Sequence, residues 1–309
     1  MAAADELEFE IPNYFRYYRS GRVERLGGTT TVPAGVDPST AVDSRDVIVD
    51  PSNAVSARLY LPSATAGDEE RKIPIVIYFH GGGFCIESAA SPTYHRHLNA
   101  LAALTPLLGV SVDYRRPPEH RLPAAYDDGW AALRWVVSRV DPWVTRYGDH
   151  RRVFLAGDSA GANIAHQVAA RAAAEGMPVK GVALVHPFFW GTEPVGGEPR
   201  DAEFRERMDR RWRFTFPTAA APEDPRWDPA AVGSPAEVGC ERVMVAVAEK
   251  DFLNHRGRRY YEKLTASGWR GEAEFVETPA AGHVYHLLAP ETEEAAEMIG
   301  KLVDFFRRD

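Results

Sequence analysis

The sequence predicts an α/β architecture: a mostly parallel, eight-stranded sheet flanked by helices, with a small cap. Three observations carry that prediction. Short β-branched runs alternate along the chain with helical periods, the pattern of a parallel sheet covered by helices. The run "IPIVIYF" is apolar at nearly every position, as a strand buried on both faces must be. Amphipathic periods of helical spacing lie between such runs.

Taken in order, the first strands fall near Asp46–Val49 and Ala57–Leu61. The stretch "SARLYLP" alternates, so these two read as an antiparallel edge. Further strands are expected near Ile75–Phe79, Gly109–Tyr114, Val153–Ala156, Val182–Val185, Val243–Ala248 and Ala273–Glu277. Leu133, Val136, Val137 and Val140 recur at helical spacing, and Ala295, Met298, Ile299, Leu302 and Phe306 mark a final helix. The segment "TAGDEERK" reads as an exposed loop, and no internal repeat is present.

Two stretches break the alternation. Residues 1–40 are rich in aromatics (Phe9, Tyr14, Phe15, Tyr17, Tyr18) without a strand period. Phe188–Pro229 is proline-rich and charged, and an insertion there falls at the carboxyl ends of strands, where α/β proteins bind ligands. The expectation is one domain over 1–309, capped by elements from about 1–40 and 188–229.

Composition excludes several classes. A net charge of −8 over 309 residues argues against a nucleic-acid partner, which needs a basic face. Two cysteines, Cys85 and Cys240, are too few for a disulfide scaffold, and no Asn-x-Ser/Thr sequon occurs, so a reducing compartment is expected. The start "MAAADELEFEIPNYF" carries four acids and no apolar core, unlike a signal peptide. The longest apolar stretch, "ALAALTPLLGVSV", is broken by Thr105 and Pro106, short of the roughly 18 residues of a membrane helix. A cytoplasmic or nuclear location, away from membranes, is the expectation.

The motif with chemistry is Gly157-Asp158-Ser159-Ala160-Gly161, between an expected strand and an expected helix. A serine at so sharp a turn is pushed out above the sheet edge, and the glycines two residues either side avoid clashes. Beside it, the new helix offers unpaired backbone N–H groups. A serine hydroxyl needs a base, and the base an orienting acid, in the order Ser, acid, His. "AEKDFL" and "GHVYHL" each follow an expected strand, which nominates Asp251 as acid and His283 as base. Glu249 competes with Asp251 but lies nearer its strand end. His286 competes with His283 but lies in a more apolar run. His166, His186 and His255 have ordinary structural readings. No cluster has metal-ligand spacing and no cofactor motif occurs, so none is expected. After the apolar strand comes "HGGGF", whose bare backbone suits anion stabilisation. The expected oxyanion donors are the amides of Gly81, Gly82 and Ala160.

Together, "HGGGF", "DYRRPPEHRLPAAYDD", "GDSAGAN", "HPFFWG", "AEKDFL" and "GHVYHL" resemble the hormone-sensitive-lipase-like α/β hydrolases, and among them the plant carboxylesterases. The resemblance spans nearly the whole chain. It implies a serine hydrolase acting on small-molecule carboxylic esters, with Ser159, Asp251 and His283 as triad and Gly81, Gly82 and Ala160 as oxyanion hole. One departure is Arg116-Pro117, where the group has Leu-Ala. Gibberellin receptors on this scaffold lack the catalytic histidine, whereas His283 is present here. Isoflavonoid dehydratases of the group use the same pocket for elimination, the alternative enzyme reading.

Overall fold

The computed structural model describes residues 5–65, 70, 72–218, 224–231 and 234–308. The main sheet has strand order β12-β11-β10-β9-β7-β8-β6-β5-β4. Its antiparallel side comprises β4 (Val36–Asp37), β5 (Val42–Asp50) and β6 (Val55–Pro62). Six parallel strands follow: β7 (Ile73–Phe79), β8 (Leu108–Asp113), β9 (Gly148–Asp158), β10 (Gly181–Val185), β11 (Arg242–Ala248) and β12 (Glu272–Thr278). All eight expected strands lie in this sheet, and the two-residue β4 extends its edge. A second, three-stranded antiparallel sheet is formed by β1 (Leu7–Ile11), β2 (Phe15–Tyr18) and β3 (Val23–Arg25). Strands of three to five residues carry too few alternations to stand out, so this sheet had no sequence signal.

Successive side chains of β7 point to opposite faces, and each face meets helices. Ile75, Ile77 and Phe79 pack with α2 (Ala124–Ser138), α3 (Pro142–Tyr147), α4 (Ala160–Ala174) and α6 (Asn254–Ala266). Val76 and Tyr78 pack with α1 (Pro92–Leu104), α7 (Tyr285–Leu288) and α8 (Glu293–Arg307). Burial on both faces is what the unbroken apolar run requires. The remaining helix, α5 (Ala202–Thr215), joins the first of these layers through Met208 and Trp212, and its Phe214 stacks on Phe9 of β1 at 3.9 Å between ring centres.

One helical expectation needs correction. The apolar period through Val140 suggested a continuous helix, but α2 ends at Ser138 and Arg139 turns left-handed, with φ 57°. Val140 is exposed, because Asp141 must stay extended ahead of Pro142 and cap α3 by accepting the Trp143 and Val144 N–H groups. Among the described residues no helix is long and apolar enough to cross a membrane. Residues 1–4 and 219–223 of the expected cap, and 66–69 and 71 of the expected loop, lie outside the described residues.

Strand order decides where a site can form. β7 lies between β8 and β9, so the chain leaves β7 for one side and returns to the other. The loops after β7 and β9 are thereby brought side by side at the carboxyl edge, the usual ligand crevice of an α/β sheet.

Candidate active site

Ser159 joins β9 to α4 with φ 53° and ψ −118°, a conformation L-residues rarely adopt. Its surroundings hold it there. Ser159 N–H donates to the Val185 carbonyl at 2.9 Å, and its own carbonyl accepts from Phe188 N–H at 3.0 Å. The glycines are required by close packing against the end of β7. A Cβ on Gly161 would lie 1.9 Å from the Phe79 carbonyl oxygen, and one on Gly157 would lie 2.4 Å from the Gly161 backbone.

His283 lies in the loop between β12 and α7, and Asp251 in the loop between β11 and α6. His283 Nδ1 is 2.6 Å from Asp251 Oδ2, and Nε2 is 2.9 Å from Ser159 Oγ. An ionised carboxylate only accepts, so Nδ1 carries the hydrogen and Nε2 is free to accept from the serine. The second Asp251 oxygen accepts from Leu253 N–H at 3.0 Å, which fixes the carboxylate plane. Hydroxyl, imidazole and carboxylate thus stand in series, an arrangement that can move the serine proton onto the imidazole.

The competitors fall elsewhere. Glu249 accepts from Ala280 N–H at 2.6 Å and so pins the loop that carries His283. His286 is buried with neither ring nitrogen hydrogen-bonded, and burial pulls its pKa well below the ordinary imidazole value. His166 is likewise buried, with its pKa lowered to about 4 by burial. His255 packs against Gly196 and Gly197. His186 does more than its ordinary reading allowed. Its Nδ1 accepts from Val284 N–H at 2.9 Å, holding the backbone next to His283. His186, Asp251 and His283 each place one ligand-capable atom within 4.8 Å of the others, but Asp251 and His283 are already bonded to each other.

The glycine loop corrects one expectation. Gly81 N–H donates to the Tyr94 hydroxyl at 2.7 Å, and that hydroxyl donates to Asp158 Oδ2 at 2.9 Å. The Gly81 amide is therefore engaged with buried groups and is not free for an oxyanion. Gly82 and Gly83 line the cavity that Ser159 opens into. Ala160 begins α4, where no preceding helical turn supplies an acceptor for its N–H. Asp158, the residue between Gly157 and Ser159, also accepts from Tyr78 at 3.0 Å. Burial raises its pKa to about 6 against the opposing pull of those tyrosine hydrogen bonds.

With this geometry in view, comparison with known proteins is decisive. A family model described as the alpha/beta hydrolase fold matches residues 76–287. The chain belongs to the alpha/beta hydrolase family. Within it, the chain is 43% identical to probable carboxylesterase 2 of Arabidopsis thaliana, over 98% of this chain and 97% of that one. It is 40% identical to 2-hydroxyisoflavanone dehydratase of Glycyrrhiza echinata, over 97% of this chain and 96% of that one. The esterase structure from Pyrobaculum calidifontis superposes with a TM-score of 0.69 at 28% identity, covering 85% of this chain and 84% of that one.

In this alpha/beta hydrolase the cavity has a volume of about 270 Å³. Ser159, His283, Gly82 and Gly83 meet there with the apolar side chains of Phe188, Met208, Phe252 and Leu287. Tyr14 from the N-terminal sheet and Arg211 from α5 also line it. Both lie in the two stretches expected to form a cap, but which of their side chains reach the cavity is set by packing that the local sequence does not encode. Asp158 had a signal, its place inside the serine motif, but only packing reveals its tyrosine partners. The Arg116-Pro117 departure lies outside the cavity lining, in the loop where Glu119 pairs with Arg25 of β3.

Proposed function

We propose that this alpha/beta hydrolase cleaves carboxylic esters of small molecules through Ser159, His283 and Asp251. The observation that carries the reading is the continuous pair of hydrogen bonds, 2.9 Å from Ser159 Oγ to His283 Nε2 and 2.6 Å from Nδ1 to Asp251. Ser159 Oγ attacks the ester carbonyl and its proton passes to Nε2, while Asp251 stabilises the imidazolium. The carbonyl oxygen becomes an alkoxide facing the amides of Gly82, Gly83 and Ala160. His283 returns the proton to the departing alcohol, leaving an acyl group on Ser159. Water then attacks the acyl group with His283 again as base, releasing the acid and restoring the serine.

The N-terminal sheet and α5 serve as the cap. Tyr14 and Arg211 line the cavity from these two elements, and their aromatic packing through Phe9 and Phe214 joins them into one cover. Residence in the cytosol or nucleus belongs to the same proposal. The test is mass spectrometry after treatment with a fluorophosphonate, alongside turnover of a chromogenic short-chain ester. Ser159 should carry the label, and Ser159→Ala should abolish both labelling and hydrolysis; undiminished turnover in that variant would remove Ser159 from the reaction.

A second reading is favoured by the dehydratase relative, which covers nearly the whole chain. His283 would then remove a proton and the glycine loop would polarise a ketone. Product analysis separates the two, since elimination releases water without cleaving an ester.

A further inference from the structure

Arg211 differs from three of the four other arginines of α5, the fourth, Arg210, lying over the Phe9 ring at 5.1 Å and outside the cavity lining. Arg205, Arg207 and Arg213 pair with Glu198, Glu203 and Glu206. Arg211 has no ion pair among the described residues. Its one described hydrogen bond, Nη2 to the Gly83 carbonyl, is long at 3.4 Å, and its Nε is buried without a partner. The guanidinium lies over the Tyr14 ring at 4.5 Å and near the Phe188 ring at 5.5 Å. Stacking uses the flat face of the group and leaves the N–H edge for another partner.

The loop is shaped around this side chain. A Cβ on Gly83 would sit 1.5 Å from Arg211 Nη2, so the last glycine of "HGGGF" makes room for the guanidinium. The charge therefore lies in the cavity that holds Ser159 and His283, half-buried beside aromatic rings, where screening is weaker than in bulk water. A planar cation with a free edge in such a place matches a carboxylate, which accepts two parallel N–H bonds from it. Glu87 and Asp158 also line the cavity, and no ion pair joins either to Arg211 among the described residues. Negative charge there disfavours a polyanion more strongly than a single carboxylate.

We propose that Arg211 is a specificity residue that selects esters bearing a free carboxylate. The inference rests on the ester-hydrolase reading and names the substrate class of that site. The ester carbonyl reacts at Ser159 as before, and the remote carboxylate is held by Arg211 without changing its bonds.

The experiment compares kcat/KM within matched pairs on the purified full-length protein. One pair is monoethyl adipate and its terminal carboxamide, which places the charge on the acyl side. The other is para-carboxyphenyl butyrate and para-carbamoylphenyl butyrate, which places it on the alcohol side. At least one pair should favour the carboxylate by about tenfold or more, the size of a charge-assisted hydrogen bond, and added salt should reduce the preference. Arg211→Met should erase the preference, while Arg211→Lys should keep part of it through charge without the fork. Each ratio is taken on one preparation, so a loss of folded protein cancels. A ratio of one or below in both pairs, or a ratio untouched by Arg211→Met, overturns the assignment. Turnover of the carboxamides without preference sinks this inference alone, whereas no turnover of any ester, with Ser159 unlabelled, sinks the hydrolase reading beneath it.

Discussion

His283 is distinguished from its neighbours by where its two nitrogens point. Both are engaged, one with Asp251 and one with Ser159, while His286 three positions on has neither nitrogen bonded. In the proposed reaction only the first can accept the serine proton. His283→Ala should lower kcat by about 10²–10⁴-fold, the usual contribution of general acid–base catalysis. His286→Ala should lower it far less, its effect being a cavity in the packing beside α1. Steady-state kinetics on the two variants checks this, and the reverse ranking would reassign the base. Gly81 shows the same logic for a backbone group. Which amide faces the cavity depends on the direction of one N–H bond, and Tyr94 takes the one from Gly81.

At the level of elements, the irregular segment after β10 is tied to α6 by one buried side chain. Arg256, in the first turn of α6, donates to Glu198 and Asp228 and to the carbonyls of Gly191 and Glu193. Arg256, Glu198 and Asp228 are all buried, and the second carboxylate charge is balanced by Arg205 on Glu198 and Arg259 on Asp228. The helix so anchored begins three residues after Asp251, which couples placement of Asp251 to placement of the segment after β10. Arg256→Met would leave two buried carboxylates with Arg205 and Arg259 as their remaining cationic partners. It should cost about 3–5 kcal/mol, the range for breaking a buried ion pair from one side. Urea denaturation measures this directly. An unchanged midpoint would mean that the network contributes nothing net.

For the whole molecule, burial of histidines sets the acid limit. Burial lowers the pKa of His80 and His186 to about 3 and of His97 and His166 to about 4. A lowered folded value means the unfolded chain binds protons first. The stability these groups contribute is complete above 6.5 and is lost as pH falls toward 4 and then 3. Asp158 works in the opposite sense: raised from 3.8 to about 6, it favours the folded state below 3.8 and loses that contribution as pH rises through 6. These four histidines, with His286 lowered in the same direction, outweigh Asp158, so stability should fall between pH 6.5 and 5. The slope from each histidine rises across that window toward a limit of about 1.4 kcal/mol per pH unit. Replacing His166, two turns along α4 from Ser159 and bonded only weakly to Gln167, by Leu should flatten the dependence by up to that amount. Thermal or chemical melts across this range read the slope, and a slope unaltered by His166→Leu would discount burial as its cause.

Much of this chain could be read locally. Strands buried on both faces announce themselves as apolar runs such as "IPIVIYF", and the elbow around Ser159 needs small residues within two positions of the serine. Asp251 and His283 could be nominated because each follows a strand of the same parallel sheet, whose ends share one edge. What periodicity missed was short or non-repeating: the three strands before Arg25, and the end of α2 at Ser138. Other features came only from the folded chain. That the Gly81 amide is taken by Tyr94 while Gly82 and Gly83 line the cavity, that Asp158 is gripped by two tyrosines, and that Arg211 enters from α5 are all facts of long-range packing. Residue order determines which chemical groups are available and on which edge they emerge, because hydrophobic period and backbone sterics act over a few residues. Which way an amide points, or which distant side chain shares a cavity, is decided only when segments far apart in the chain compete for the same space and the same hydrogen-bond partners.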